Sequence, residues 1–146
     1  MEPPTTEPIG LEIARTAKQL SRAFDDALVE AGASLPVWLI LVSLKAKRHG
    51  MQRELAGAVG IEGPTLTHHL NRMEADGLVT RRRDPANRRI HQVELTDEGD
   101  ALFRRVRGSV ASFDRRLRAG FEDGEIAALR DALGRLRANV GAADTE

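Results

Sequence analysis

Residues 52–95 read QRELAGAVGIEGPTLTHHLNRMEADGLVTRRRDPANRRIHQVEL, and this stretch decides the fold. The spacing predicts a short helix from about Gln52 to Val59, ended by Gly60, with Ile61 opening a connecting turn. Gly63 and Pro64 then begin a second helix. Proline suits a first helical position because the N–H it lacks has no partner there. Leu66, Leu70 and Met73 give this helix one apolar face, Gly77 ends it, and Leu78 is expected to pack back. Ala56 and Gly60 lie four apart, as in a helix-turn-helix, where a small residue admits a close crossing and a glycine makes the turn. Two strand-like runs follow, LVTRRR and RRIHQVEL, joined by DPAN, with Asp-Pro as turn opener. A helix-turn-helix followed at once by a basic β-hairpin is a winged helix. The expected class is mainly α with a minor β component.

The flanks are predicted to be helical. Upstream, Ile13, Ala17, Leu20, Phe24 and Leu28 recur at helical spacing, and Gly32 is placed to stop that helix. Next comes SLPVWLILVSLKAKRHG, residues 34–50, where Ser34 and Pro36 mark a helix start and His49 and Gly50 are expected to close it. Downstream, Thr96 caps a helix whose first turn holds Asp97 and Glu98, facing the positive end of the dipole. Phe103, Val106, Val110, Phe113 and Leu117 line one face of it. After GFEDG, Ile126, Leu129, Leu133, Leu136 and Val140 line another helix. These apolar stripes are long for so small a core. A two-fold dimer would cover them, with a monomeric bundle as the alternative. The expected organisation is a disordered arm over 1–8, a helical dimerisation region over 9–33 and 97–146, and a DNA-binding region over 34–96.

Charge sharpens the reading. The chain of 146 residues carries 22 basic and 22 acidic side chains, but they are not mixed evenly. Residues 34–95 hold ten basic and six acidic groups, between flanks that are each net acidic. Five arginines fall between Arg81 and Arg89. A local basic patch is the footprint of a polyanion, which overall charge conceals. On a wing beside a recognition helix, arginines reach phosphates or the minor groove while the helix enters the major groove. Asp84 is expected to orient them, Arg88 first, by charge-assisted hydrogen bonds. The competing reading is a solvated hairpin whose charges merely blunt a sheet edge. Its position directly after a helix-turn-helix favours DNA.

With ELA, PTLT, L-R-E--GLV-R, DP--RR and LT--G in this order between residues 52 and 99, the sequence resembles the MarR family of bacterial transcription regulators. The outer helices match that family in length and pattern only. The resemblance implies a winged-helix homodimer on double-stranded DNA. It binds pseudo-palindromic operators as a repressor and is released by a small molecule. Carried over by position, Thr65, Thr67 and His68 face bases or phosphates, and Arg72 meets the backbone one turn on. Arg83 and Arg88 belong to the wing, with Arg88 at its tip and Asp84 orienting it. Ser34 and Gln52 stand at helix starts that present N–H groups to phosphates. Many relatives have arginine at the place of His68, so base preference does not transfer. Asn87 replaces an acid of the usual turn. The family's effector pocket lies between the first, second and fifth helices, a region that here includes Arg15, Trp38, Lys45, His49 and Phe103. Cations beside aromatic rings suit an anionic aromatic effector, while core packing is the simpler role for Trp38.

Other classes find less support. With no cysteine, disulfides, thiolate metal sites and thiol sensing are excluded. His68 and His69 diverge by about 100° on a helix, and no His-Glu-x-x-His spacing occurs, so a metal-responsive regulator is the lesser reading and no metal or cofactor is expected. No phosphate loop or nucleophile elbow points to an enzyme. A winged helix that binds a protein is a further alternative, separable from DNA binding by salt dependence. No membrane span or signal peptide is read, and a cytoplasmic location is expected.

Overall fold

The computed structural model describes residues 6–47, 49–87 and 91–141. The chain forms two compact units, Met1–Ala111 and Ser112–Glu146.

In the first unit, helix α1 (Ile9–Glu30) starts after Pro8 and stops where Gly32 takes a φ of 92°. Beyond its end, the Arg105 guanidinium donates to the Ala31 carbonyl at 3.0 Å. Helix α2 (Leu35–Ala46) is capped by Ser34, whose hydroxyl accepts from the Val37 N–H at 3.5 Å. It ends at Ala46, earlier than the sequence suggested. His49–Met51 form strand β1 instead of a helix terminus. Its partner, residues 92–94, lies far along the chain, so no local pattern announces it.

Helices α3 (Gln52–Val59) and α4 (Gly63–Ala75) make the helix-turn-helix, with Gly60 at a φ of 74° between them. Gly77, at a φ of 77°, ends α4, and the Leu78 N–H returns to the Met73 carbonyl at 2.9 Å. Strands β2 (Val79–Arg83) and β3 (His91–Leu95) pair antiparallel as the predicted hairpin, and β1 joins on the other side to give the order β1-β3-β2. The core lies between the sheet and the helices. Leu66, Leu70, Val93 and Val106 are fully buried, with Met73 and Val79 nearly so. Each such side chain contributes roughly 1.5–3 kcal/mol of transfer free energy.

Helix α5 (Asp97–Arg118) is held at its start by Thr96. The Thr96 hydroxyl accepts from the Gly99 N–H at 3.0 Å and donates to the Gly77 carbonyl at 2.6 Å, while the Thr96 N–H donates to Leu78 O. The residues of GLV and LT--G therefore form one junction, tying the end of α4 to the start of α5.

The second unit holds the last turns of α5 and helix α6 (Asp123–Gly141). No residue of α6 is fully buried, and Leu129, Leu136 and Val140 are exposed, Val140 to 72%. The expected arm over 1–8 falls mainly on residues 1–5, outside the described residues; Glu7 and Pro8 are ordered against α1.

Candidate nucleic-acid interface

Helix α4 turns Leu66, Leu70 and Met73 into the core, which leaves Thr65, His68 and Arg72 exposed on its outer side. These three are spaced by three and four residues, so they lie along one face. His68 and Arg72 border a cleft of about 400 Å³ together with Ser34, His69, Val37 and Asp76. Three residues expected at DNA from different parts of the sequence, Ser34, His68 and Arg72, thus share one concavity. The α2 N-terminus opens there, with N–H groups and dipole suited to an anion. The His68 and His69 rings are 5.8 Å apart.

Thr67 sits differently from the expected exposed contact. It is half-buried, its hydroxyl donates to the Gly63 carbonyl at 3.0 Å, and it accepts from the Gln52 amide at 2.7 Å. One hydroxyl has one proton. Thr67 is therefore spent as a donor and ties α3 to the first turn of α4. Two residues expected to face DNA independently are bonded to each other. The sequence gave each as a helix-start residue; their approach follows from the crossing of the two helices.

The arginines divide into two groups. The Arg81 guanidinium reaches Asn71 and Glu74 on α4, and Arg82 pairs with Glu94 across the hairpin at 3.0 Å. Arg83 is exposed and has no ion pair among the described residues. Residue counting missed this division, because a carboxylate 7 or 12 positions away in sequence carries no local signal. Asp84 closes the turn: its carboxylate accepts from the Ala86 N–H at 2.8 Å and from the Gln92 amide at 3.4 Å. Arg88, its expected partner, lies outside the described residues.

Three of the five residues expected at an effector pocket come together. Trp38 stacks on Phe103 with ring centroids 5.4 Å apart, and Lys45 lies 5.7 Å from the Phe103 ring. Arg107 lies 5.5 Å from the same ring. It was not foreseen, although it stands one helical turn from Phe103. Lys45 also pairs with Asp100, whose carboxyl is held below its ordinary range chiefly by that hydrogen bond. Phe103 is buried and Trp38 half-buried, so core packing accounts for the stack. Arg15 is 70% exposed and pairs with Glu7 at 2.7 Å. The His49 side chain lies outside the described residues. Among the described residues no three His, Asp or Glu side chains converge to hold a metal, and no single helix is long and apolar enough to cross a membrane.

Residues 34–91 match the model of the MarR family. Among solved structures, the chain is 26% identical to the transcriptional repressor CouR bound to a 23-mer DNA duplex, with a TM-score of 0.80 over 94% of this chain and 99% of that one. It is 27% identical to a MarR family transcriptional regulator from Rhodococcus sp. RHA1, with a TM-score of 0.72 over 88% and 91% of the two chains. The PcaV transcriptional regulator of Streptomyces coelicolor, in complex with its natural ligand, is 23% identical with a TM-score of 0.75 over 92% and 98%, a likeness of fold.

Proposed function

Because the chain belongs to the MarR family of DNA-binding transcriptional regulators, we propose that it acts as a homodimeric, sequence-specific repressor on a pseudo-palindromic operator in the cytoplasm. The observation that carries this reading is the cleft in which Ser34, His68 and Arg72 meet, beside a wing whose Arg83 has no ion pair among the described residues. The α4 face supplies base contacts from Thr65 and His68. Arg72 and the α2 N-terminus take flanking phosphates, and the wing follows the adjacent minor groove. Gln52 and Thr67 act here through each other, fixing the start of α4.

Dimerisation is supported by the open apolar faces at Leu20, Leu129, Leu136 and Val140. CouR, at 26% identity, is itself a repressor bound to a duplex. Release by an anionic aromatic molecule is the regulatory part of the proposal. It is supported by the two cations, Lys45 and Arg107, set over the Trp38–Phe103 pair. The reading assigns no catalytic step.

Sequencing the genomic fragments retained by the purified protein tests the proposal. Enriched fragments are expected to share two half-sites about 10 base pairs apart. Retention is expected to fall steeply between low and moderate salt as counterions are released. Retention without a shared sequence would refute specific regulation. Salt-independent binding would favour a protein partner.

A further inference from the structure

Arg81 is the arginine of the wing that the charge pattern places at DNA and the geometry places elsewhere. Its backbone N–H donates to one oxygen of the Glu74 carboxylate at 3.1 Å, and its guanidinium donates to the other at 3.1 Å. The same guanidinium donates to the Asn71 side-chain oxygen. Asn71 and Glu74 are three apart on α4 and share a face. The side chain of Arg81 is 17% exposed, against 74% for its neighbour Arg82. Strand register explains the contrast. Arg81 is paired with Val93, which is fully buried, so the pleat turns Arg81 inward, toward α4. Arg82 points to the opposite face and meets Glu94.

We propose that Arg81 is a positioning residue for DNA reading: it clamps the wing to the recognition helix and makes no DNA contact itself. This rests on the sequence-specific reading above. To reach a phosphate, the guanidinium would have to leave a carboxylate and an amide oxygen. Charge-assisted bonds of this kind are about twice as strong as neutral ones. Arg83 lies two residues further along the same face of β2, about 7 Å on. A tilt of the strand at Arg81 therefore displaces Arg83 relative to Thr65, His68 and Arg72. Only the docked wing presents all four together. Apparent operator affinity is then scaled by the docked fraction.

The test compares two duplexes, one enriched by the wild-type chain from random-sequence DNA and one scrambled at the same composition, for wild type, Glu74→Gln, Arg81→Lys, Arg81→Ala and Arg82→Ala. Glu74→Gln is the deciding variant, because removing a negative charge near DNA should by electrostatics alone strengthen binding to both duplexes. The clamp predicts a loss of about tenfold on the enriched duplex, with scrambled-duplex affinity unchanged or raised. Arg81→Lys keeps one ion pair and is expected to fall between wild type and Arg81→Ala. Hydrogen exchange at the Arg82 and Arg83 amides of the free protein is expected to rise in Glu74→Gln and stay unchanged in Arg82→Ala.

The clamp is overturned if Glu74→Gln binds the enriched duplex as well as wild type. It is also overturned if Arg81→Ala weakens both duplexes alike and lowers the salt slope by about 1, the mark of a phosphate contact. Glu74→Gln carries the test if Arg81→Ala does not fold. A wild-type chain that enriches no sequence refutes the specific reading, and this role with it, whereas enrichment with no effect of Glu74→Gln refutes the clamp alone.

Discussion

Two glycines of α5 should respond to alanine with opposite signs. At Gly99 an added Cβ would stand 2.1 Å from the Leu78 carbonyl oxygen and 2.7 Å from Leu95 Cδ1. The first neighbour is backbone, so relief requires α5 and the Leu78 peptide to separate by about 1 Å to restore van der Waals contact. That peptide oxygen accepts the Thr96 N–H at 3.0 Å, so separation also stretches the α4–α5 junction. Overpacking of this sort costs about 1–3 kcal/mol, and a weakened hydrogen bond adds about 0.5–1.5 kcal/mol. Alanine returns about 0.5–1 kcal/mol of helix preference. The net loss is about 1–3 kcal/mol, which for a chain of this size lowers Tm by roughly 3–10 °C. Gly108, on the same helix, has nothing within 4 Å of its added Cβ. Gly108→Ala is therefore expected to raise Tm by roughly 1–4 °C. Thermal melts followed by circular dichroism check both, at one protein concentration because dimer stability depends on it. A Gly99→Ala Tm equal to or above wild type would show that the junction is not tight.

Three further outcomes are expected. Arg88→Ala should weaken operator binding by about 1–3 kcal/mol while the protein stays folded; Asp84→Ala should weaken it less, and unchanged titrations at fixed salt would remove the wing from the interface. Light scattering at micromolar concentration should give twice the chain mass, and a chain cut after Val110 should lose both dimer and operator binding; monomer mass for the full chain refutes the dimer. The Glu74 carboxyl is held below its ordinary 4.5, first by the side-chain hydrogen bond from Arg81. A lowered carboxyl stabilises the fold above its unfolded value and loses that contribution as pH falls through the folded one. Glu74→Gln should therefore melt below wild type at pH 7, with a gap that narrows as pH drops below 4.5; a gap that is the same at pH 7 and pH 3 would sink the ion pair.

Local chemistry made the helix ends legible. Gly32, Gly60 and Gly77 stand where the chain needs a positive φ, Pro64 stands at a helix start, and Thr96 caps the next helix. Periodicity placed Leu66, Leu70 and Met73 inward because a helix repeats its faces within a few residues. The end of α2 was misread, since what stops it is β1, a three-residue strand defined only by backbone pairing with residues 92–94. The same limit applies to the site. Sequence marks Arg81, Arg82 and Arg83 as equal charges, and only the pleat of β2 and the position of α4 separate a clamp, a cross-strand pair and an exposed arginine. Gln52 and Thr67 are 15 residues apart, and no spacing rule announces their hydrogen bond.

The strand order β1-β3-β2 has a consequence for how the molecule assembles. The central strand is the last of the three to be synthesised, so β1 waits for it. Joining β2 to β3 closes a loop of about seven residues, and joining β1 to β3 closes one of about 40. The chain entropy lost is then on the order of 2 and 3 kcal/mol respectively. The hairpin is thus the cheaper closure, and β1, only three residues long, docks on an edge already formed. Run backward, the same ordering makes β1 the first strand to peel away. Native-state hydrogen exchange would then find the short segment after α2 opening below the global unfolding free energy, while β2 and β3 remain paired.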